Sequence, residues 1–469
     1  MIDLELGELT GIVSGRLLLG ASGATDHTVV NGMVDTDSRL IEPGGIFVAK
    51  PGEVTDGHLF APDAITNGAA LLIVERELDV TVPQIVVADV VTALADLARE
   101  VVVRVRAQGK LTVVGITGSN GKTTTKNLVA AMCAQHGETV WPRDSFNNEV
   151  GAPLTMLKVT YGTRFLVLEL GASGIGHIAR LTGIVQPDIG VVLMVGLAHA
   201  GEFGGVESTV IAKRELVETL VENGVAILNC DDPRVSEMAT SAPGEVLWFG
   251  YGAQARVTAS DVRTSLAGTS FVLHAPDGGR YPVAFRVMGE HHVMNALAAA
   301  SVGFTLGFDA ASIVAALESV TRAEHWRMEV MGNSDVVVIN DAYNASPDSM
   351  AAALKTLRLV AGEHNRTIAV LGEMSELGEY AGEEYDRLAL LLVRLNIDLL
   401  VVIGTGARRL HISAMNEGSW DGESVFYENT DDAYDYLHGM LRAGDIVLVK
   451  SSNSAGLRFL GDRLGEAYA

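Results

Sequence analysis

The stretch VVGITGSNGKTTTKNL (residues 113–128) passes from an apolar run through Gly118-Ser119-Asn120-Gly121 into Lys122 and three threonines. A strand that turns through glycines into a helix aims unpaired backbone N–H groups, and the positive end of the helix dipole, at one point. Such a turn holds an anion. Gly118 and Gly121 let the backbone approach closely, with Ser119 and Asn120 completing the turn. Lys122 offers a point charge to β- and γ-phosphates, Thr123 a hydroxyl to Mg²⁺, and Thr124 continues the predicted nucleotide site. Leu128, Val129, Met132 and Cys133 recur at helical spacing, with Gly137 as the expected stop. The pattern G-x-x-x-x-G-K-[ST] is not fully met: Ile116 stands where its first glycine belongs, and the glycines fall at 115 and 118. An ordinary strand-to-helix turn is the competing reading of the bare motif.

The chain has 469 residues, 48% hydrophobic and 20% charged, which fits two to four globular domains. Its net charge of −24 disfavours nucleic acid or an anionic membrane as a partner. A bound phosphate must then be held by a local positive field. The apolar run IGVVLMVGLA (189–198) is well short of the ~18 residues of a membrane span. The acidic beginning MIDLELGELTGIVSG does not resemble a secretory signal, so a cytoplasmic location is expected. Cys133 and Cys230 are too few for a disulfide framework or a thiolate metal site.

Outward from the turn, the fold class reads as α/β in three domains. Residues 1–88 mix short strands with turns and suit a small α/β domain. Residues 89–107 read as one amphipathic helix ending at Gly109, leading into a central domain over 89–321. There TVVGIT, FLVLEL, IGVVLMV and VAILN are continuous apolar runs, as expected of parallel strands buried on both faces. Between 245 and 288 hairpin-like segments are expected, with PDGG (276–279) as a turn, followed by a helix closed by Gly307. Residues 322–469 repeat the strand–helix grammar in DVVVIND, TIAVLGE, LLVVIGTG and DIVLVK.

Three further residues carry candidate chemistry. Glu169 ends the strand after the turn, where α/β sheets place ligand-binding groups; a plain helix-entry acid is the alternative. His199 follows the next strand, and a lone histidine is more often structural. Lys213 precedes Leu216, Val217, Leu220 and Val221 at helical spacing and so faces inward, read as the first turn of its helix; snorkelling to solvent is the alternative.

The order T-G-S-N-G-K-T-T-T resembles the ATP site of the Mur ligases and their folylpolyglutamate and cyanophycin synthetase relatives. The resemblance implies a small UDP-binding domain, a central P-loop ATPase domain and a carboxy-terminal Rossmann-like domain. It also implies ATP and two Mg²⁺ ions, with Glu169 and His199 as metal ligands and Lys213 carbamylated to complete the second site. GEHHVMNALAAA resembles the family helix whose Asn295 position approaches the nucleotide. INDAYNASPDSM resembles the segment in which Asp341 and Tyr343 enclose ATP, and Arg327 matches a family arginine that reaches the phosphates.

Within the family, DSFNNEVGAPLTML, GEMSELGE and the amino-terminal DTDSRLIEPGG resemble the member that joins D-alanyl-D-alanine to UDP-N-acetylmuramoyl-tripeptide. Ser38 and Arg39 would lie near the UDP moiety. The diaminopimelate-reading D-N-P-R segment of a neighbouring ligase is absent. A monomer acting on small molecules is implied. One departure stands out: LVKSSNSAGLRF puts Ser451 and Asn453 where the family carries the glycine and arginine of L-V-K-G-S-R, which bears on dipeptide contacts. A folylpolyglutamate-type ligase would lack the amino-terminal nucleotide domain. A non-enzymatic nucleotide switch would not need Glu169, His199 and Lys213 together.

Overall fold

The computed structural model describes residues 1–52, 55–142, 145–197, 205–320, 325–417 and 420–469. The chain forms three α/β domains. The central sheet has six parallel strands in the spatial order Val246–Phe249, Val225–Asn229, Ile189–Val192, Thr112–Thr117, Phe165–Glu169 and Thr139–Val140. Alternate residues of one strand serve opposite cores: Val113 packs on one face and Val114 on the other, as do Leu166 and Val167. Burial on both faces leaves no polar side for the strand, hence the unbroken apolar runs.

The helix Val90–Gln108 joins two domains into one core. Asp89 accepts from the N–H groups of Val91 and Thr92 and caps it, and the chain leaves it at Gly109. Leu94, Leu97 and Val101 share one apolar cluster with Leu4 and Ile46 of the first domain and with Leu166 and Leu168 of the central sheet. The first domain is therefore set against the central one by hydrophobic burial along the whole helix. Its own five-stranded sheet runs Arg16–Leu18, Gln84–Val86, Leu71–Val74, Ile46–Val48 and Val34–Asp35.

Two expectations are corrected here. Val246–Phe249, read as the start of the hairpin region, is a parallel edge strand of the central sheet; the antiparallel sheet contains Thr258–Ser265, Gly268–His274 and Arg280–Phe285. The helix after the phosphate turn ends at Ala134, before Gly137.

The third domain carries six strands in the order Glu329–Gly332, Val336–Asn340, Asp445–Lys450, Arg366–Leu371, Leu399–Ile403 and Glu423–Tyr427, all parallel except the first. The carboxyl ends of its inner strands, at Asn340 and Lys450, lead directly into the residues that face the central domain. Among the described residues no helix is long and apolar enough to cross a membrane.

Candidate active site

The chain runs from Thr112–Thr117 through the edge strand to Phe165–Glu169, and only then crosses to Ile189–Val192 on the other side of Thr112–Thr117. The phosphate turn thus sits at the point where strand order reverses, the usual ligand crevice of an open α/β sheet. Gly118 has φ +153° and Gly121 φ +85°, both positive, where residues with side chains are seldom found. A Cβ on Gly121 would collide with Asn295 Oδ1, and one on Gly118 would come within 2.9 Å of Leu193 Cβ. The helix Lys122–Ala134 begins without a side-chain cap, so its first N–H groups remain directed at the turn. Ser119 fixes the turn from below: its N–H donates to Met194 O at 2.9 Å, and its hydroxyl accepts from Gly196 N at 2.9 Å.

Gly121→Ala tests this geometry. A left-handed backbone costs a side chain about 1–2 kcal/mol before the collision with Asn295 is counted. ADP affinity, measured by calorimetry, should fall by roughly tenfold or more with far-ultraviolet dichroism unchanged.

Lys122 is half-buried and donates to Gly118 O at 2.7 Å and Ser119 O at 3.4 Å, folded back onto its own turn. Burial pushes its ammonium below the usual lysine range, against the pull of Glu169 and with the repulsion of Arg327. Glu169 is buried at the strand end, where one carboxylate oxygen accepts from Asn147 Nδ2 at 2.8 Å and Oε2 has no partner. An orphaned buried carboxylate oxygen is costly unless a cation completes it. Among the described residues no three His, Cys, Asp or Glu side chains form a metal cluster. An Mg²⁺ ion takes one or two protein oxygens and draws the rest from phosphates and water. His199 lies outside the described residues.

Lys213 is correctly expected to be buried, at 4% exposure, so it does not snorkel. Its place in the helix is corrected: the helix runs Val206–Glu218, and Lys213 sits in its interior rather than its first turn. Val221 is only half-buried, so the inward stripe ends at Leu220. Burial, then the charge of Lys122, brings the Lys213 amine down to about 7.

The third domain closes over the turn. Arg327 Nη2 donates to Thr123 Oγ1 at 3.2 Å and its guanidinium stacks 4.1 Å from the Tyr343 ring. Tyr343 donates to Ser145 Oγ at 3.3 Å, and Ser346 to Asn120 Oδ1 at 3.1 Å. Asp341 is bound by Lys450 Nζ at 2.7 Å and by Met328 N at 3.0 Å. Asn120, Thr123, Ser145, Arg327, Asp341, Tyr343, Ser346 and Lys450, with Asn229, His292 and Asn295 among others, line a cavity of about 370 Å³. His292 Nδ1 lies 3.2 Å from Asn295 Nδ2, a donor, so Nδ1 accepts and the proton sits on Nε2. That buried Nε2 has no partner within the protein. Burial holds His292 well below the usual histidine range and brings His291 to about 4, so both rings are neutral near pH 7.

A second cavity of about 350 Å³ meets the first at Lys122 and Asn147; it is also lined by Lys50, Ser173, His177, Arg180, Lys213 and Glu376. Glu215, two residues beyond Lys213, shapes it by accepting from the N–H groups of Gly176 (2.5 Å) and Ala179 (2.8 Å), capping the helix that carries His177 and Arg180.

The structure therefore brings together Gly118, Ser119, Asn120, Gly121, Lys122, Thr123, Thr124, Glu169, Asn295, Arg327, Asp341 and Tyr343, with Lys213 across the turn from the first cavity. Ser38 and Arg39 line neither cavity: Ser38 is buried in a short helical turn and Arg39 is paired with Asp37 at the surface. At the departure from the family pattern, Ser451 is buried, and Asn453 is exposed and bound by Arg458. Sequence reasoning missed Lys450, Asn147, Ser145, His291 and His292 as site residues; the adjacent histidines were the available signal.

Residues 32–109, 116–303 and 326–453 match, in turn, family profiles described as Mur ligase family catalytic domain, Mur ligase middle domain, and Mur ligase glutamate ligase domain. The chain is 41% identical to the UDP-N-acetylmuramoyl-tripeptide–D-alanyl-D-alanine ligase of Mycobacterium leprae, covering 99% of this chain and 98% of the relative. It is 42% identical to the protein of that name from Mycobacterium tuberculosis, with the same coverage. Among solved structures it is similar to MurF from Acinetobacter baumannii (TM-score 0.88, 30% identity, 99% of each chain). It is also similar to MurF ligase from Thermotoga maritima in complex with ADP (TM-score 0.80, 28% identity, 93% of this chain and 98% of that one).

Proposed function

The chain belongs to the Mur ligase family, and on that premise we propose that it joins D-alanyl-D-alanine to UDP-N-acetylmuramoyl-tripeptide with conversion of ATP to ADP and phosphate, in peptidoglycan precursor synthesis. The observation that carries the reading is the junction of the two cavities at Lys122 and Asn147, with Glu169 on one side and Lys213 on the other.

The carboxylate ending the tripeptide is a poor electrophile. Its oxygen attacks the γ-phosphorus of ATP, the bond to the β–γ bridging oxygen breaks, and an acyl phosphate forms. The dipeptide amine attacks the acyl carbon, the carbon–oxygen bond to phosphate breaks, and the displaced proton leaves to phosphate or water. An α-amine of pKa about 7.7–8.0 is already partly neutral near pH 8, so the attack needs no strong base. Lys122, released from Gly118 O, and Arg327 offset charge on the transferring phosphoryl group. The N–H groups of residues 118–124 hold the phosphates, while Asn295, Asp341 and Tyr343 bound the nucleotide. Glu169, Thr123, His199 and a carbamylated Lys213 would hold two Mg²⁺ ions, which neutralise phosphate charge when bound. The interdomain bonds from Arg327, Tyr343 and Ser346 exclude water from an intermediate that water would destroy.

Ser38 and Arg39 are proposed for the UDP moiety, and the domains are divided at 88/89 and 321/322. The protein acts as a cytoplasmic monomer in this reading. Phosphate release with UDP-muramoyl-tripeptide and ATP should require a D,D-dipeptide, and remain at least about tenfold slower with D-alanine, L-glutamate or diaminopimelate at equal concentration. Faster release with a single amino acid would move the chain to a neighbouring ligase.

A further inference from the structure

We propose that Ser145 is a positioning residue that orients the Thr123 hydroxyl and joins it to closure of the third domain; this rests on the ligase reading above. Four side chains form a circuit across the interface between the central and third domains. Tyr343 donates to Ser145 Oγ at 3.3 Å, Ser145 Oγ lies 3.2 Å from Thr123 Oγ1, and Arg327 Nη2 donates to Thr123 Oγ1 at 3.2 Å. The Arg327 guanidinium, 4.1 Å from the centre of the Tyr343 ring, completes the circuit. All four residues line the first cavity.

The segment that carries Ser145 is held on both sides. Before it, Lys126, fully buried on the helix Lys122–Ala134, donates from Nζ to Pro142 O at 2.9 Å. After it, Asn147 Nδ2 donates to Glu169 Oε1 at 2.8 Å, and Asn147 O accepts from Gly171 N at 3.0 Å. These anchors set Ser145 against the first turn of the helix, where Thr123 is buried.

Hydrogen-bonding capacity then fixes the direction of the bond between the two hydroxyls. Each has one proton and two lone pairs, and a guanidinium can only donate. Arg327 therefore occupies one lone pair of Thr123. If Ser145 donated as well, it would occupy the other, and Thr123 would have none left for a cation. With Ser145 as the acceptor, its two lone pairs receive the Tyr343 and Thr123 protons, and Thr123 keeps one lone pair open. Glu169, whose buried Oε2 has no hydrogen-bond partner, lines the same cavity. Ser145 thus holds Thr123 in the state in which it and Glu169 can both serve a Mg²⁺ ion. Tyr343 reaches that arrangement from the domain that closes over it.

Ser145→Ala tests this by calorimetry with ADP, in the presence and absence of Mg²⁺. The tightening of ADP binding by Mg²⁺ should fall roughly tenfold or more, while Mg²⁺-free ADP affinity and KM for UDP-muramoyl-tripeptide stay within about twofold. Ser145→Thr, which keeps the hydroxyl, should recover most of the loss. Tyr343→Phe should lower turnover, and its loss should not add to that of Ser145→Ala in the double variant, because the tyrosine hydroxyl acts through the serine. Equal Mg²⁺ tightening in Ser145→Ala and the unmodified protein, no recovery in Ser145→Thr, or full additivity overturns the role of Ser145. If the unmodified protein neither binds ADP nor releases phosphate from ATP with both other substrates present, the ligase reading itself is overturned.

Discussion

Lys122→Ala will lower ligation by about a thousandfold or more while UDP-substrate binding stays within a few-fold of normal. Removing one preorganised donor from a site of developing charge typically costs 10²–10³ in rate, and a cation on a transferring phosphoryl group more. Lys122 is placed for the larger effect: it lies where the two cavities meet and already sits among the carbonyls of its own turn. Its desolvation makes the charge expensive when nothing anionic is near and strongly felt when a γ-phosphate arrives. Arginine would not substitute, because a planar fork cannot fold back against Gly118 O and Ser119 O as an ammonium does. Single-turnover phosphate release measures the loss directly, and titration with the UDP substrate checks that the fold is intact. Near-normal turnover in this variant would mean that the turn is not where phosphoryl transfer occurs.

The same residues show how far the sequence could be read. The strands of the central and third domains were legible because burial on both faces leaves a continuous apolar run, as in Val113 and Val114, which serve two different cores. The turn from strand into helix at Gly118–Gly121 was legible because its glycines and lysine are adjacent in the chain. Val246–Phe249 was misread since a short apolar run looks the same in a hairpin and at a parallel edge. The start of the Lys213 helix was hidden because its N-cap is Gly205, with no side-chain cap, while the cap-type residues Ser208 and Thr209 lie inside the helix. Pairings across long separations could not be read at all: Lys450 with Asp341, and Arg327 with Thr123, depend on how one sheet edge faces another. Ser38 and Arg39 were assigned by likeness alone, and they lie apart from both cavities.

Lys213→Ala is expected to reduce turnover by about a hundredfold or more, with ADP and UDP-substrate affinity nearly unchanged. The reasoning starts from burial. A lysine that is 4% exposed and beside Lys122 cannot stay charged cheaply, and its amine is brought to about 7. Above that pH the folded protein carries a neutral amine that can add to CO₂, losing one proton and becoming an anion. Below it the ammonium has no lone pair to offer. Activity regained by adding bicarbonate to CO₂-depleted protein should therefore rise with pH through about 7 and then level off. An anion at this position also relieves the repulsion from Lys122, so the modification is favoured by the same neighbour that made the ammonium costly. In the alanine variant the vacated position should accept formate or acetate at high concentration, restoring part of the rate. Carbon-13 resonance of protein equilibrated with labelled bicarbonate reports the carbamate independently of turnover. Active protein carrying unmodified lysine, together with a variant that remains fast, would reduce Lys213 to a buried neutral amine that packs the helix Val206–Glu218 against the sheet.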